Sequence, residues 1–354
     1  MKKNIETELV GVKEIARRAE VAIATVDRVL NNRKGVSAKT KEKILGIIKE
    51  LDYKPNIMAR RLASNKTLKF AVLIPKVSEE TDYWKAPLEG VKNAASEIKD
   101  YGIIVDIYFF DQNNKLTFST EAVKILEKDY QGVILAPMFE EESISFIQKC
   151  YIKNIPYVFI NSDIDEQNSL CYIGPNLYQS GYLAGHLISY LISEKQKILL
   201  VNISKEIDPH HHLLRKEEGF RAYFNVNHKE NDLIKIDIKE TDYLSVKQKI
   251  AEVLTQTSID IIFVTNSRVS SVARYLEETG QSHIKLIGYD FLEENINYLK
   301  KNVIDFLICQ KPQEQGYKGI MALYNFLVNS SAVDKQNYMP IDIITKENYK
   351  FYKN

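Results

Sequence analysis

The stretch EVAIATVDRVLNNRKG, Glu20 to Gly35, decides how the chain is read. It holds a short amphipathic helix, Ile23 to Asn31, in which Val26, Val29 and Leu30 fall on one face at helical spacing. The opposite face mixes Ile23, Ala24, Asp27 and Arg28, which suits neither a plainly solvated surface nor a core. Before it, VKEIARRA places Val12, Ile15, Ala16 and Ala19 on one side, with Gly11 as N-cap and Glu14 three residues on. After it, a third helix starting at Ser37 carries the stripe Ile44, Leu45, Ile47, Ile48 and Leu51. Only about four residues separate the first two helices, and a third closes the core, which is the helix-turn-helix arrangement. In that arrangement the mixed face of the second helix meets the edges of base pairs.

Charge supports this reading over a neutral three-helix interaction module. The chain's formal charge is +1, but residues 1–67 hold 16 Lys+Arg against 8 Asp+Glu, net +8, and the remainder is net −7. A cationic module on an acidic body fits a polyanionic partner such as double-stranded DNA. Beyond the third helix Pro55 stops the helical pattern, Asn56 can cap a short helix through Leu62, and Ser64 to Thr67 form a polar tether. So short a helix is unstable alone. With Arg60 and Arg61 beside Met58 and Leu62, it has the composition of a segment that folds when pressed into a minor groove.

With 354 residues, 45% hydrophobic and 27% charged, the chain has the composition of an ordinary soluble protein with two or three cores. No apolar h-region follows the N-terminal lysines and no run approaches a membrane span, so export and membrane insertion are not expected. Cys150, Cys171 and Cys309 are odd in number and widely spaced, suggesting no disulfide framework or zinc cluster and fitting a reducing cytoplasm. No cofactor is implied. The domains read as 1–55, helix-turn-helix; 56–67, short helix and linker; and 68–354, the body.

The body alternates short apolar runs with helical segments. KFAVLIP, IIVDIYFFD, GVILAP, YVFINSD, LCYIGP, KILLVNIS, LIKIDI, IDIIFVTN, IKLIGYD and DFLICQ read as ten strands of an α/β, doubly wound parallel type, whose ligands bind beyond the strands' carboxyl ends. Ten strands imply two lobes. These are expected at about 68–162 plus 292–310 and 163–291 plus 311–354, with crossovers near Ser162, Phe291 and Lys311. No GxGxxG, Walker A or GxSxG pattern supports a nucleotide or hydrolase reading.

The contiguous match VKEIARRAEVAIATVDRVLNNRKGVSAKTKEKILGIIKELDYKPNIMARRLASNKT resembles the LacI family of bacterial transcription regulators. The resemblance implies DNA contacts from Ile23, Ala24, Thr25, Asp27 and Arg28, and from Ala59, Arg60 and Leu62 in the hinge. Arg28 suits guanine O6/N7, Ile23 and Ala24 suit a thymine methyl, and Asp27 is read as orienting a neighbouring arginine. The chain departs from the family pattern at Glu20, where a turn glycine is usual, at Ala22 in place of a serine cap, and at Asp27 in place of a serine.

The body is similar to the periplasmic sugar-binding-protein fold (periplasmic-binding-protein-like type I), particularly the ribose-binding type, through IPYVFINSD, GYLAGHLI, EEGFRAYF, FVTNS, IGYD and ICQKPQEQGYKG. Carried over, this implies effector contacts at Asn161, Asn266, Asp290 and Gln310, and a stacking pair, Tyr83 and Trp84. Lys216 stands where an arginine is usual, and Asn161 where an Asp is common. Each of these residues singly could equally be a cap or loop-fixing side chain. In DPHHHLLRKEEGF, consecutive histidines point about 100° apart on a helix and no metal-ligand spacing surrounds them, so His210 and His212 are candidates for effector contact rather than metal binding.

The expectation is a cytoplasmic, ligand-responsive regulator, a repressor, that binds a palindromic operator as a homodimer and holds a sugar-like effector between two lobes. The alternative is an α/β enzyme or small-molecule-binding protein with a basic N-terminal arm.

Overall fold

Val12–Ala19 (α1), Ile23–Leu30 (α2) and Ala38–Glu50 (α3) enclose a core of Ile15, Ala16, Ala19, Val26, Val29 and Ile44. This is a computed structural model, and it describes residues 12–30, 34–51, 53, 67–78, 81–193, 195–205 and 212–354. It divides into two units, Met1–Asn65 and Lys66–Asn354. Glu20 sits in the left-handed region at φ 59°, the conformation a turn glycine adopts most easily. The Val21 amide reaches back to the Ala16 carbonyl at 3.0 Å, closing α1 in a Schellman-type turn. Ser37 caps α3, its Oγ accepting from the Thr40 amide at 3.2 Å. Arg18 bridges Glu14 on its own helix and Glu50 on α3, tying the first helix to the third. Leu45, expected in the core stripe, is 46% exposed, because α3 turns only Ile44 fully inward and leaves Ile47 and Ile48 half-buried. The hinge segment with Ala59, Arg60 and Leu62 lies outside the described residues.

The second unit contains all ten expected strands and two more. β1 (Leu68–Pro75), β2 (Ile103–Phe110), β3 (Gly132–Leu135), β4 (Tyr157–Ile160) and β5 (Cys171–Gly174) form one sheet. β6 (Lys197–Ile203), β7 (Asp232–Ile238), β8 (Ile261–Val264), β9 (Lys285–Tyr289) and β10 (Phe306–Cys309) form the other. The chain then adds β11 (Gln336–Tyr338) to the first sheet and β12 (Asp342–Ile344) to the second, giving orders β11-β5-β4-β3-β1-β2 and β12-β10-β9-β8-β6-β7. Among the described residues every strand pairing is parallel except β10 with β12. Strands covered by helices on both faces must be apolar throughout, and β3, β4, β5, β8 and β10 are buried along their whole length.

This topology corrects the lobe boundaries. Segment 163–174 belongs to the first lobe, because Val158 pairs with Cys171 and so β5 extends the first sheet before the chain leaves it. Segment 292–309 belongs to the second, because β10 pairs with β9. The chain crosses between Gly174 and Leu177, between Cys309 and Pro312, and between Tyr338 and Asp342. Helix Pro312–Leu327 accordingly packs on the first lobe, against helix Lys85–Ile98 and β4.

In the second lobe, helices Leu177–Ser189 and His212–Val226 touch backbone to backbone. A Cβ on Gly181 would lie 1.8 Å from the Lys216 carbonyl oxygen, and one on Gly219 would lie 1.9 Å from that of Tyr178. Glycine is what lets the two helices approach so closely, and the contact sets the position of Lys216. Gly181→Ala is therefore expected to destabilise this unit by about 1–3 kcal/mol, the usual cost of overpacking. Urea unfolding followed by fluorescence of Trp84, the chain's sole tryptophan, measures it.

Candidate functional site

Parallel strands deliver their carboxyl ends to one edge of a sheet, and here the ends of both sheets line one cavity. Its free volume, counting the open mouth, is ≈ 660 Å³. Tyr83, Trp84, Asn161, His212, Lys216, Asn266, Asp290 and Gln310, the eight residues singled out from sequence, all lie on its wall.

Two of them carry buried charge. Asp290, directly after β9, is 7% exposed and held at φ 76°. Its Oδ1 has no hydrogen-bond partner. Burial pushes its carboxyl up to about 6, against a smaller opposing pull from the Lys216 ammonium. Lys216 is 4% exposed; its Nζ donates to the Thr265 carbonyl at 3.0 Å and lies 3.7 Å from the ring centre of Tyr289. Burial draws it down to about 8, partly offset by Asp290.

The other six differ in how far their polar atoms are already engaged. Asn161, at φ 71°, donates through Nδ2 to the Tyr83 hydroxyl, and its carbonyl accepts from Tyr172 Oη at 3.2 Å. Trp84 stands edge-on to Tyr83, the ring centres 5.2 Å apart. Gln310 donates to Ser180 Oγ at 3.1 Å, and Ser180 shares a 2.8 Å hydrogen bond with the Tyr289 hydroxyl. Asn266 uses its amide to hold its own loop: Nδ2 donates to the Ile203 carbonyl at 2.6 Å, and Oδ1 accepts from the Arg268 amide at 3.3 Å. His212 opens its helix beside the cavity, while His210 and His211 lie outside the described residues. Among the described residues no cluster of His, Cys, Asp or Glu has the geometry of a metal site.

Several wall residues escaped the sequence reading. Gln112 and Asn113 follow β2, and Gln112 Nε2 is buried without a partner. The strand-end rule, applied to YFFDQNN, would have found them. Ser267 and Arg268 follow β8 in the same way. Asn295, fully buried, donates through Nδ2 to the carbonyls of Ser267, Tyr289 and Asp290 at 3.1, 3.0 and 3.0 Å. It pins the loop that holds Asp290 in the left-handed region.

In the first unit, Ile23 is 48% exposed on α2, Ala24 and Arg28 are also exposed, and Thr25 and Asp27 are half-buried beside them. Arg17, Arg18 and Lys43 are engaged with Glu14, Glu50 and Glu20.

A helix-turn-helix unit with a two-lobed binding body defines the class, and comparison with known proteins supplies the family. Residues 70–331 match the periplasmic binding protein domain, and residues 11–56 match the bacterial regulatory proteins of the lacI family. The body belongs to the periplasmic binding protein domain family, and a helix-turn-helix domain of the lacI family precedes it. It is 31% identical over 188 residues to the HTH-type transcriptional regulator RegA of Clostridium acetobutylicum, covering 52% of each chain. The chain thus spans about half the length of the curated relatives it matches first. A crystal structure from Bacteroides fragilis, assigned as a LacI transcriptional regulator, superposes with a TM-score of 0.73 at 29% identity, covering 81% of this chain and 100% of that one. GanP, a glucose-galactose binding protein from Geobacillus stearothermophilus, shares the fold at a TM-score of 0.72 and 23% identity, covering 80% and 99%. These relatives are regulators and a binding protein rather than enzymes. The matches do not single out the ribose-binding type. Among the described residues, no helix is long and apolar enough to cross a membrane.

The two buried charges fix a pH dependence. Asp290's folded value lies above its unfolded 3.8, so its favourable contribution is complete below 3.8 and is lost as pH rises through about 6. Lys216's folded value lies below its unfolded 10.5, so its contribution is present above 10.5 and is lost as pH falls through about 8. Asp290→Asn is expected to gain about 2 kcal/mol of stability relative to wild type between pH 4 and pH 7. Urea titrations at the two pH values check this, and a difference that does not change with pH contradicts it.

Proposed function

We propose that the protein is a cytoplasmic, ligand-responsive transcription regulator, acting as a repressor, that binds a palindromic operator as a homodimer. Its effector is a small sugar-like molecule held between the two lobes. The observation that carries this reading is the outward face of α2, where Ile23, Ala24 and Arg28 stand exposed on the second helix of a helix-turn-helix unit in a region of net charge +8. An arginine there pairs bidentately with guanine, and the small apolar side chains meet thymine methyls. Thr25 and Asp27 flank them, and the family resemblance assigns minor-groove contacts to Ala59, Arg60 and Leu62. One helix-turn-helix reads too few base pairs for specificity, so two copies on a two-fold site are needed.

The effector reading rests on Asp290 and Lys216. A buried carboxylate oxygen without a partner calls for a donor, and a polyhydroxylated ring supplies donors and acceptors together with an apolar face for Trp84 or Tyr83. Asn161, Gln310, His212 and Asn266 complete the wall. Effector binding alters the closure of the lobes and, through the hinge, operator affinity, so each site acts on the other reciprocally.

Electrophoretic shift with DNA from upstream of the protein's own gene tests the DNA half of this reading. Operator affinity is expected to fall steeply with salt, as counterion release requires. Arg28→Ala should lose about 1–3 kcal/mol and relax discrimination at one base pair, whereas Lys39→Ala, at an exposed cationic position in the first turn of α3, should weaken all sequences alike. Equal loss of specific and non-specific binding by Arg28→Ala would refute the assignment.

A further inference from the structure

The two lobes are joined outside the cavity as well as across it. Asp163 follows β4 in the first lobe, and Arg215 lies on helix His212–Val226 in the second. Arg215 Nη1 donates to Asp163 Oδ1 in an ion pair whose side chains are only 30% and 14% exposed. A second crossing is neutral: Thr81 Oγ1 and Ser267 Oγ share a 3.1 Å hydrogen bond between the loops after β1 and β8, both nearly buried.

The ion pair sits one step outside the cavity on the very segments that supply its two sides. Asp163 is two residues beyond Asn161, whose amide nitrogen and carbonyl are both tied to the first lobe, by Ile173 and Tyr172 at 3.2 Å each. Arg215 immediately precedes Lys216, whose backbone is fixed by the contact with Gly181. Neither segment can shift alone, so the separation at the pair sets the separation between Asn161 and Lys216 across the cavity.

Charge makes the pair more than a spacer. The cleft beside it is lined by Glu140, Asp163, Asp165 and Glu166 from the first lobe and by Glu218 from the second. Arg215 lines the same cleft and is paired with Asp163. With it removed, like charges would face each other across the cleft and drive the lobes apart.

We infer that Asp163 and Arg215 are a positioning pair: by holding the lobes together at the mouth, they set the geometry with which Asn161 and Lys216 meet a ligand. The inference rests on the reading of the cavity as the effector site, but its test needs neither DNA nor sugar, so the two can fail separately.

The test uses the full chain with Tyr151→Cys in the first lobe and Leu244→Cys in the second, both on strongly exposed helical positions. The native Cys150, Cys171 and Cys309 are buried, so spin labels go to the introduced thiols. Pulsed electron resonance then reads the distance between the lobes. The ratio of short-distance to long-distance populations is expected to fall roughly tenfold in Arg215→Gln, since breaking one side of a partly buried pair strands its partner. Arg215→Lys should keep the short distance. Asp163→Asn combined with Arg215→Gln should open no further than Arg215→Gln alone, the mark of two groups acting as one. A wild-type distance distribution in Arg215→Gln, or additive opening in the double variant, would overturn the proposal.

Discussion

A carboxylate and an ammonium buried in one cavity, with no hydrogen bond between them, are the constraint around which the body is arranged. Burying either charge is costly, and each already shows it: the Asp290 carboxyl is raised and the Lys216 ammonium lowered, burial being the main cause in both. The fold keeps them in place by rigid means. Asn295 clamps the Asp290 loop to its neighbour, and the glycine contact between two helices holds the Lys216 backbone. The remaining imbalance is what a ligand rich in hydroxyl groups would correct. Such a ligand would be discriminated strongly, because an analogue lacking the right group would leave a buried polar atom unpaired.

The helix-turn-helix unit solves a different problem with similar economy. Its core is small, and its first and third helices are tied by Arg18 to Glu14 and Glu50. Those pairs engage cations on α1 and leave the outward face of α2 exposed. Glu20, in a left-handed turn, retains the turn geometry that the resemblance assigns to glycine, with some backbone strain.

Most of this was legible in the chain itself. The three N-terminal helices follow from apolar spacing, and the ten main strands from short runs rich in β-branched residues between helical patterns. The cavity wall came from the resemblance to sugar-binding proteins: the strand-end rule accounts for Asn161, Asn266, Asp290 and Gln310, whereas His212 and Lys216 stand on a helix. What stayed hidden was non-local. β11 and β12 are three residues each and partly polar, and they are strands only because a sheet edge offers them partners. The lobe boundaries depended on which neighbour β5 and β10 would choose, and no periodicity records that choice. Asn295 and the Asp163–Arg215 pair act through contacts between distant segments, so nothing in their local sequence marks them. Leu45 satisfied the helical stripe yet faces solvent, since three short helices have too little interior to cover every apolar position.

The most direct measurement is calorimetric titration of a panel of pentoses, hexoses and their acids into the protein and into Asp290→Ala. One compound or a small group is expected to bind wild type with one site per chain, and that binding should be lost or weakened at least a hundredfold in Asp290→Ala. A compound that binds both proteins equally well would mean that the buried carboxylate is no part of the effector site.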